Sequence, residues 1–248
     1  MWLTETYDNI LFAMNTHSFG GYFMWSPGAY IADGRVPLPR PPIGTEEYFF
    51  AASADILDRI KAYRGTVVHP GRTGPVIDVL YSAAGNSGDE HYYTDDLEGP
   101  DIYAWDFEVG ADLWDGEEWE SPGFFWPDFE TEGFHQAMEF SNGWIGMMEV
   151  ALEFSQDDQA PSSSINVDQR GWYSGPVDVV FTTSEAATIH YTLDMSKPTL
   201  DSPTLERDGL RDGAAPLEIT ETTVLRWFAV DETGNQEKPH RVRIKIRD

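Results

Sequence analysis

Asp106 and Glu108 stand two residues apart in the apolar run Ile102-Tyr103-Ala104-Trp105-Asp106-Phe107-Glu108-Val109. In an extended strand, residues i and i+2 point to one face. Trp105 and Phe107 then point to the other. Burying two carboxylates on one face is costly unless they meet a metal, a cation or a substrate. The plain alternative is an edge strand with a solvated acidic face, and the flanking apolar residues argue against it. A second candidate is His17, which ends an apolar segment and is followed by Ser18-Phe19-Gly20-Gly21. Ligands of α/β sheets gather beyond strand ends, and neutral imidazole is a common metal ligand. A histidine satisfied within a turn is the alternative there.

The elements that must position these residues are readable from periodicity. Residues 8–25 read as strand, loop, strand, and residues 33–44 as a Pro-rich loop. A helix follows, with Thr45 as N-cap and Glu46 and Glu47 in its first turn. Phe49, Ala52, Ile56, Ile60 and Tyr63 form its apolar stripe, and Gly65 ends it. The apolar run Val76–Tyr81 leads into a small-residue loop, SAAGNSGDE. Residues 101–109 form a strong strand and residues 110–132 an acidic, aromatic loop. A long helix then spans about 134–154, with Phe134, Met138, Ile145, Met148 and Leu152 at helical spacing. Strands alternating with helices predict an α/β sheet.

Beyond that helix the texture changes. Residues 156–164, QDDQAPSSS, are a linker by composition. Short strands at 177–182, 188–193, 215–219, 223–230 and 241–247, separated by turn signals, predict an immunoglobulin-like β-sandwich over 165–248.

Four segments carry a resemblance. They are Asn15-Thr16-His17-Ser18-Phe19-Gly20-Gly21-Tyr22, Ser26-Pro27-Gly28-Ala29-Tyr30, Leu80-Tyr81-Ser82-Ala83-Ala84-Gly85-Asn86-Ser87-Gly88-Asp89 and Trp105-Asp106-Phe107-Glu108. In order and spacing, residues 1–155 resemble the C-terminal half of the catalytic domain of pancreatic-type zinc carboxypeptidases (A, B and T). The resemblance implies a partial mixed-sheet α/β domain. It implies that His17 is a zinc ligand and Glu108 the general base. Tyr81 would close over the terminal carboxylate of a peptide or protein substrate, and Ser18 would lie beside the bound chain. Asp106 and Asp89 would line the side-chain pocket and favour a basic terminal residue. The family takes two further zinc ligands from an upstream His-x-x-Glu motif. The residues three positions after His17, His69, His91, His135, His190 and His240 are Gly20, Arg72, Thr94, Met138, Leu193 and Arg243, so the motif does not occur in this chain. The Zn2+ would need two ligands from outside it.

A second resemblance rests on Ala187-Thr188-Ile189-His190-Tyr191-Thr192-Leu193-Asp194, Ser196-Lys197-Pro198-Thr199, Thr222-Thr223-Val224-Leu225-Arg226-Trp227-Phe228-Ala229-Val230-Asp231 and Gly234-Asn235. Residues 160–248 resemble the chitobiase/hexosaminidase C-terminal type of Ig-like domain. Such modules accompany secreted hydrolases, which implies contact with polysaccharide or cell wall. Trp172 and Tyr173 are the aromatics suited to stack on a sugar.

Composition narrows the classes. The net charge is −27, with 27 acidic against six basic residues up to position 156. Nucleic-acid binding needs clustered Lys and Arg and is disfavoured. There is no cysteine, so disulfides and thiolate metal sites are excluded. No apolar run is long enough for a transmembrane helix. The first residues lack the marks of a signal peptide. Met1 reads as an internal start or fragment boundary, with secretion directed by a segment further upstream. The expected function is zinc metallocarboxypeptidase, present as a fragment. A cell-wall peptidase of the same fold and a non-catalytic secreted binding protein are the alternatives.

Overall fold

The computed structural model describes residues 6–7, 9–32, 34–65, 68, 70–93, 102–110, 112–114, 117–120, 125–168, 171–207 and 213–247. Met1 and Asp101 lie outside them. The chain forms two compact units, Met1–Pro41 with Phe49–Ser155, and Pro42–Tyr48 with Gln156–Asp248.

The first unit runs β1 (Phe12–Ser18), β2 (Tyr22–Trp25), the short pair β3 (Tyr30–Ala32) and β4 (Val36–Pro37), then α1 (Ile43–Arg64) from Phe49 onward. It continues through β5 (Thr73–Pro75), the one-turn helix α2 (Val76–Val79), α3 (Ser87–Tyr92), β6 (Tyr103–Val109), the short pair β7 (Leu113–Trp114) and β8 (Trp119–Glu120), and α4 (Phe134–Gln156). Its sheet is mixed, in the order β1-β6-β2-β5. β1 lies parallel to β6, β6 antiparallel to β2, and β2 parallel to β5. Phe23, Trp25, Phe49, Trp105 and Phe107 are buried together. Phe49 stacks on Trp25 at 5.4 Å and meets Trp105 edge-on at 5.1 Å. The Trp105 indole donates to Ser53 Oγ at 3.0 Å, so the ring is buried without an orphaned N–H.

Two helix details depart from the sequence reading. α1 starts at Ile43, so Thr45 lies inside it, buried, and is not the N-cap. Pro42 sets the start: its fixed φ suits a helix entrance, and its carbonyl accepts from Glu46 N at 2.9 Å. The apolar positions singled out on α4 are also not its inner face. Phe134, Ile145, Met148 and Leu152 are exposed, whereas Gly143, Gly146, Met147 and Val150 are buried. The glycines decide this. A Cβ on Gly143 would sit 3.3 Å from the Phe107 ring and 3.4 Å from Ile60, and one on Gly146 would sit 3.0 Å from Ile56 Cα. α4 therefore approaches α1 and β6 more closely than a side chain would permit. Gly146→Val should destabilise the protein by about 1–3 kcal/mol through overpacking against the α1 backbone. Urea unfolding checks this, and an unchanged midpoint would contradict the close approach.

The second unit is all-β apart from its first segment. It contains β9 (Ser163–Ile165), β10 (Val177–Val179), β11 (Phe181–Thr183), β12 (Ala187–Thr192), β13 (Leu217–Ile219), β14 (Thr223–Asp231) and β15 (His240–Ile244). β12, β14 and β15 form one antiparallel sheet, and β10 pairs with β13 and β11 with β9. Val179, Ile219, Leu225, Trp227, Ala229, Val242 and Ile244 fill one core. Leu225, Trp227 and Ala229 point inward at every second position of β14. The linker assignment for 156–164 is corrected at its end. Ser163 and Ser164 belong to β9, where Ser163 Oγ accepts from Trp227 Nε1 at 2.9 Å and Ser163 N donates to Glu237 at 2.9 Å. Serine composition reads as linker, but these serines have specific partners.

Candidate active site

The parallel pairing of β1 with β6 sets His17 opposite Glu108 and Asn15 opposite Asp106. His17 and Glu108 are next to last in their strands, and Asn15 and Asp106 are central. Asn15 Nδ2 lies 2.7 Å from His17 Nε2 and donates to Ser87 Oγ at 2.6 Å. Ser87 in turn donates to Asp106 Oδ1 at 3.1 Å. His17 Nε2 is 4.0 Å from that same oxygen. One polar network thus joins β1, β6 and the start of α3.

The two carboxylates of β6 differ in setting. Asp106 is buried, and its Oδ2 has no hydrogen-bond partner. Glu108 is partly buried, and its Oε2 is orphaned likewise. Burial pushes both carboxyls above the ordinary range; the nearby His17 opposes this. Such an upward shift moves a carboxylate toward the range useful for proton transfer.

Glu108 opens onto a cleft of about 320 Å³ lined also by Ser18, Phe19, Gly20, Tyr22, Arg72, Leu80, Tyr81, Asp112 and Phe125. Tyr81 is 66% exposed at its rim. Three of the residues singled out in the sequence, Ser18, Tyr81 and Glu108, therefore share one cleft wall. His17 stands beside it on β1, and Asp106 lies behind it.

Asp89 has a different position. Its Oδ1 accepts from Gly28 N at 2.8 Å and its Oδ2 from Asn86 Nδ2 at 2.8 Å, and burial pushes its carboxyl up. Asn86 also caps α3, accepting from Asp89 N at 2.8 Å. Both oxygens of Asp89 thus hold the loop between β5 and α3 against the segment after β2. Gly88 stands next to it, and a Cβ there would lie 3.0 Å from Asp106 Oδ2.

Arg72 escaped the sequence reading. It lines the cleft, hydrogen-bonds the Gly20 carbonyl and lies over the Tyr22 ring at 4.8 Å. Its signal was scarcity: it is one of six basic residues among the first 156.

A zinc ion held by His17 would need further donors beside it. A protein zinc site takes three or four nitrogen, oxygen or sulfur ligands at about 2.0–2.3 Å. Among the described residues, the convergent group of His, Asp and Glu side chains is Asp157, Glu185 and Asp231 in the second unit, and it does not include His17. The described residues do not by themselves fit zinc at His17.

In the second unit, Trp172 is 53% exposed, with Arg247 Cζ 4.8 Å and Lys245 Nζ 5.6 Å from its ring centroid. Tyr173 packs on the core, and its hydroxyl accepts from Asp168 N at 2.8 Å. Of the two aromatics considered for sugar stacking, Trp172 is the exposed one.

Residues 169–241 match the chitobiase/beta-hexosaminidase C-terminal domain family. This agrees with the Ig-like module read from the sequence and spans most of the second unit. No curated protein matches the chain. Among the described residues, no helix is long and apolar enough to cross a membrane.

Proposed function

We propose that the first unit is the C-terminal half of a zinc metallocarboxypeptidase catalytic domain, which removes the terminal residue of peptides. The observation that supports it is the β1–β6 register, which sets His17 opposite Glu108 beside a cleft that also holds Tyr81 and Ser18. In this reading Glu108 accepts a proton from the attacking water and returns it to the leaving amine. Its raised pKa suits both steps. Tyr81 contacts the substrate's terminal carboxylate, and Arg72 gives the cleft a cationic wall for the same group. Asp106 does not line the cleft, but its charge acts on Glu108, which does, and favours Lys or Arg at the substrate terminus. Two zinc ligands must come from further polypeptide. The apolar positions that α4 turns outward are in keeping with such a partner segment.

The test compares this chain with a polypeptide extended upstream through a His-x-x-Glu segment, on peptides ending in Arg, Phe or Leu. The extended protein should release single residues, Arg fastest, and C-terminal amidation should block release. The 248-residue chain should release none. An inactive extended protein would sink the peptidase reading, and a clear preference for Phe would sink the role of Asp106.

The incomplete ligand set favours one second reading, a non-catalytic secreted binding protein that uses the cleft and the Ig-like module. Trp172 is its contact with polysaccharide or cell wall. A stop codon and ribosome-binding site just before Met1 would support this reading over the first.

A further inference from the structure

Three carboxylates of the second unit have no part in the proposed peptidase chemistry. Asp157 precedes β9, Glu185 lies in the turn between β11 and β12, and Asp231 ends β14. Each brings one oxygen within 4.8 Å of the other two. Oxygens bound to one Ca2+ at about 2.4 Å from it stand at most about 4.8 Å apart, so a single ion satisfies this spacing.

Surface acids often cluster without a ligand, and a second observation separates this group from such a patch. Asp231 is only 8% exposed, and its Oδ2 is buried without a hydrogen-bond partner. Its Oδ1 is fully engaged, accepting from Thr233 N at 2.9 Å, Thr233 Oγ1 at 2.8 Å and Asn235 N at 2.9 Å. The loop after β14 grips Oδ1, and Oδ2 is left without a partner. A buried carboxylate oxygen with no partner is destabilising, and here two further negative charges are set beside it. Asp157 is held in a similar way. Its Oδ1 accepts from Gln159 N at 3.0 Å, and its backbone carbonyl accepts from Asn235 Nδ2 at 3.3 Å. Glu185, the exposed member, has its carboxyl pushed up by desolvation and by the charges of Asp157 and Asp231.

We propose that Asp157, Glu185 and Asp231 bind a divalent cation of the calcium type. The donors are all hard oxygens, with no imidazole or thiolate among them, which disfavours zinc and copper. Calcium accepts several carboxylates in irregular geometry, whereas magnesium demands a near-ideal octahedron and retains water. The ion ties together three segments distant in sequence: the entry to the module, the β11–β12 turn and the end of β14. It acts as a non-covalent staple in a chain without cysteine.

The experiment is calorimetric titration of the chelator-treated 248-residue chain with CaCl2 and MgCl2, paired with thermal unfolding. The variant is Glu185→Gln, whose side chain is exposed and whose loss leaves the core intact. Calcium should bind saturably at one site below about 1 mM and raise the unfolding midpoint. Glu185→Gln should weaken binding about tenfold or more, yet melt no lower than the unsubstituted protein in chelator, because it relieves repulsion. Lack of saturation by about 10 mM calcium would overturn the proposal. So would equal affinity in Glu185→Gln, or an equal effect of NaCl at matched ionic strength; either assigns the response to screening of the net charge.

Discussion

Replacing Arg64 with Met should lower the stability of the first unit by about 3–5 kcal/mol, the range for breaking a buried ion pair from one side. Arg64 closes α1 and serves two acids. It donates to Glu132 at 2.8 and 2.6 Å and also to Glu139. Glu139 is fully buried on α4, and its Oε2 has no partner. Burial pushes the Glu139 carboxyl up even with Arg64 beside it. Without the guanidinium, Glu139 would be an uncompensated buried charge. The sign of the pH dependence follows. A carboxyl with a raised folded pKa binds a proton that the unfolded chain has already released, so its folded form gains stability as pH falls. The deficit of Arg64→Met should therefore shrink between pH 7 and the ordinary carboxylate range. Glu139→Gln in the same background should recover part of it. Urea unfolding followed by tryptophan fluorescence measures all three. An unchanged midpoint in Arg64→Met would show that the trio adds nothing to stability.

Glu108→Gln should separate stability from chemistry. In the 248-residue chain it should raise the unfolding midpoint, because it replaces a partly buried carboxylate with one orphaned oxygen by a neutral amide of the same shape. In the upstream-extended enzyme proposed above it should lower kcat by about 10²–10⁴-fold, the usual contribution of a general base. KM should change far less, since the amide still fills the cleft wall. A merely structural glutamate would give the opposite pattern, with stability lost and activity following it. Calorimetry on the chain and steady-state kinetics on the extended protein read the two effects independently.

Much of this molecule was legible in its sequence. Alternating apolar residues located β1 and β2, apolar runs bounded by turn signals located β6, β12 and β14, and three-four spacing located α1 and α4. The i, i+2 rule put Asp106 and Glu108 on one face of β6, away from Trp105 and Phe107. What was not legible depended on contacts between distant segments. Gly143 and Gly146 carry no hydrophobic signal, yet their lack of a side chain makes them the inner face of α4, leaving Ile145, Met148 and Leu152 outside. The serines of β9 look like linker until Trp227 and Glu237 are beside them. The two engaged oxygens of Asp89 could not be inferred from a loop rich in small residues. Asp157, Glu185 and Asp231 are scattered along the chain, and only the folding of the module makes them neighbours.

The pairing that sets His17 against Glu108 has a consequence for how the protein is made. Phe12 meets Tyr103, so the two strands close a loop of some ninety residues. The entropy of closing that loop is lost before the pairing returns any contact energy. On the ribosome, β1 leaves the exit long before β6 exists, and until then it lacks the partner it has in the folded unit. The most exacting period for this polypeptide is its synthesis, and β6 is the segment whose arrival ends it.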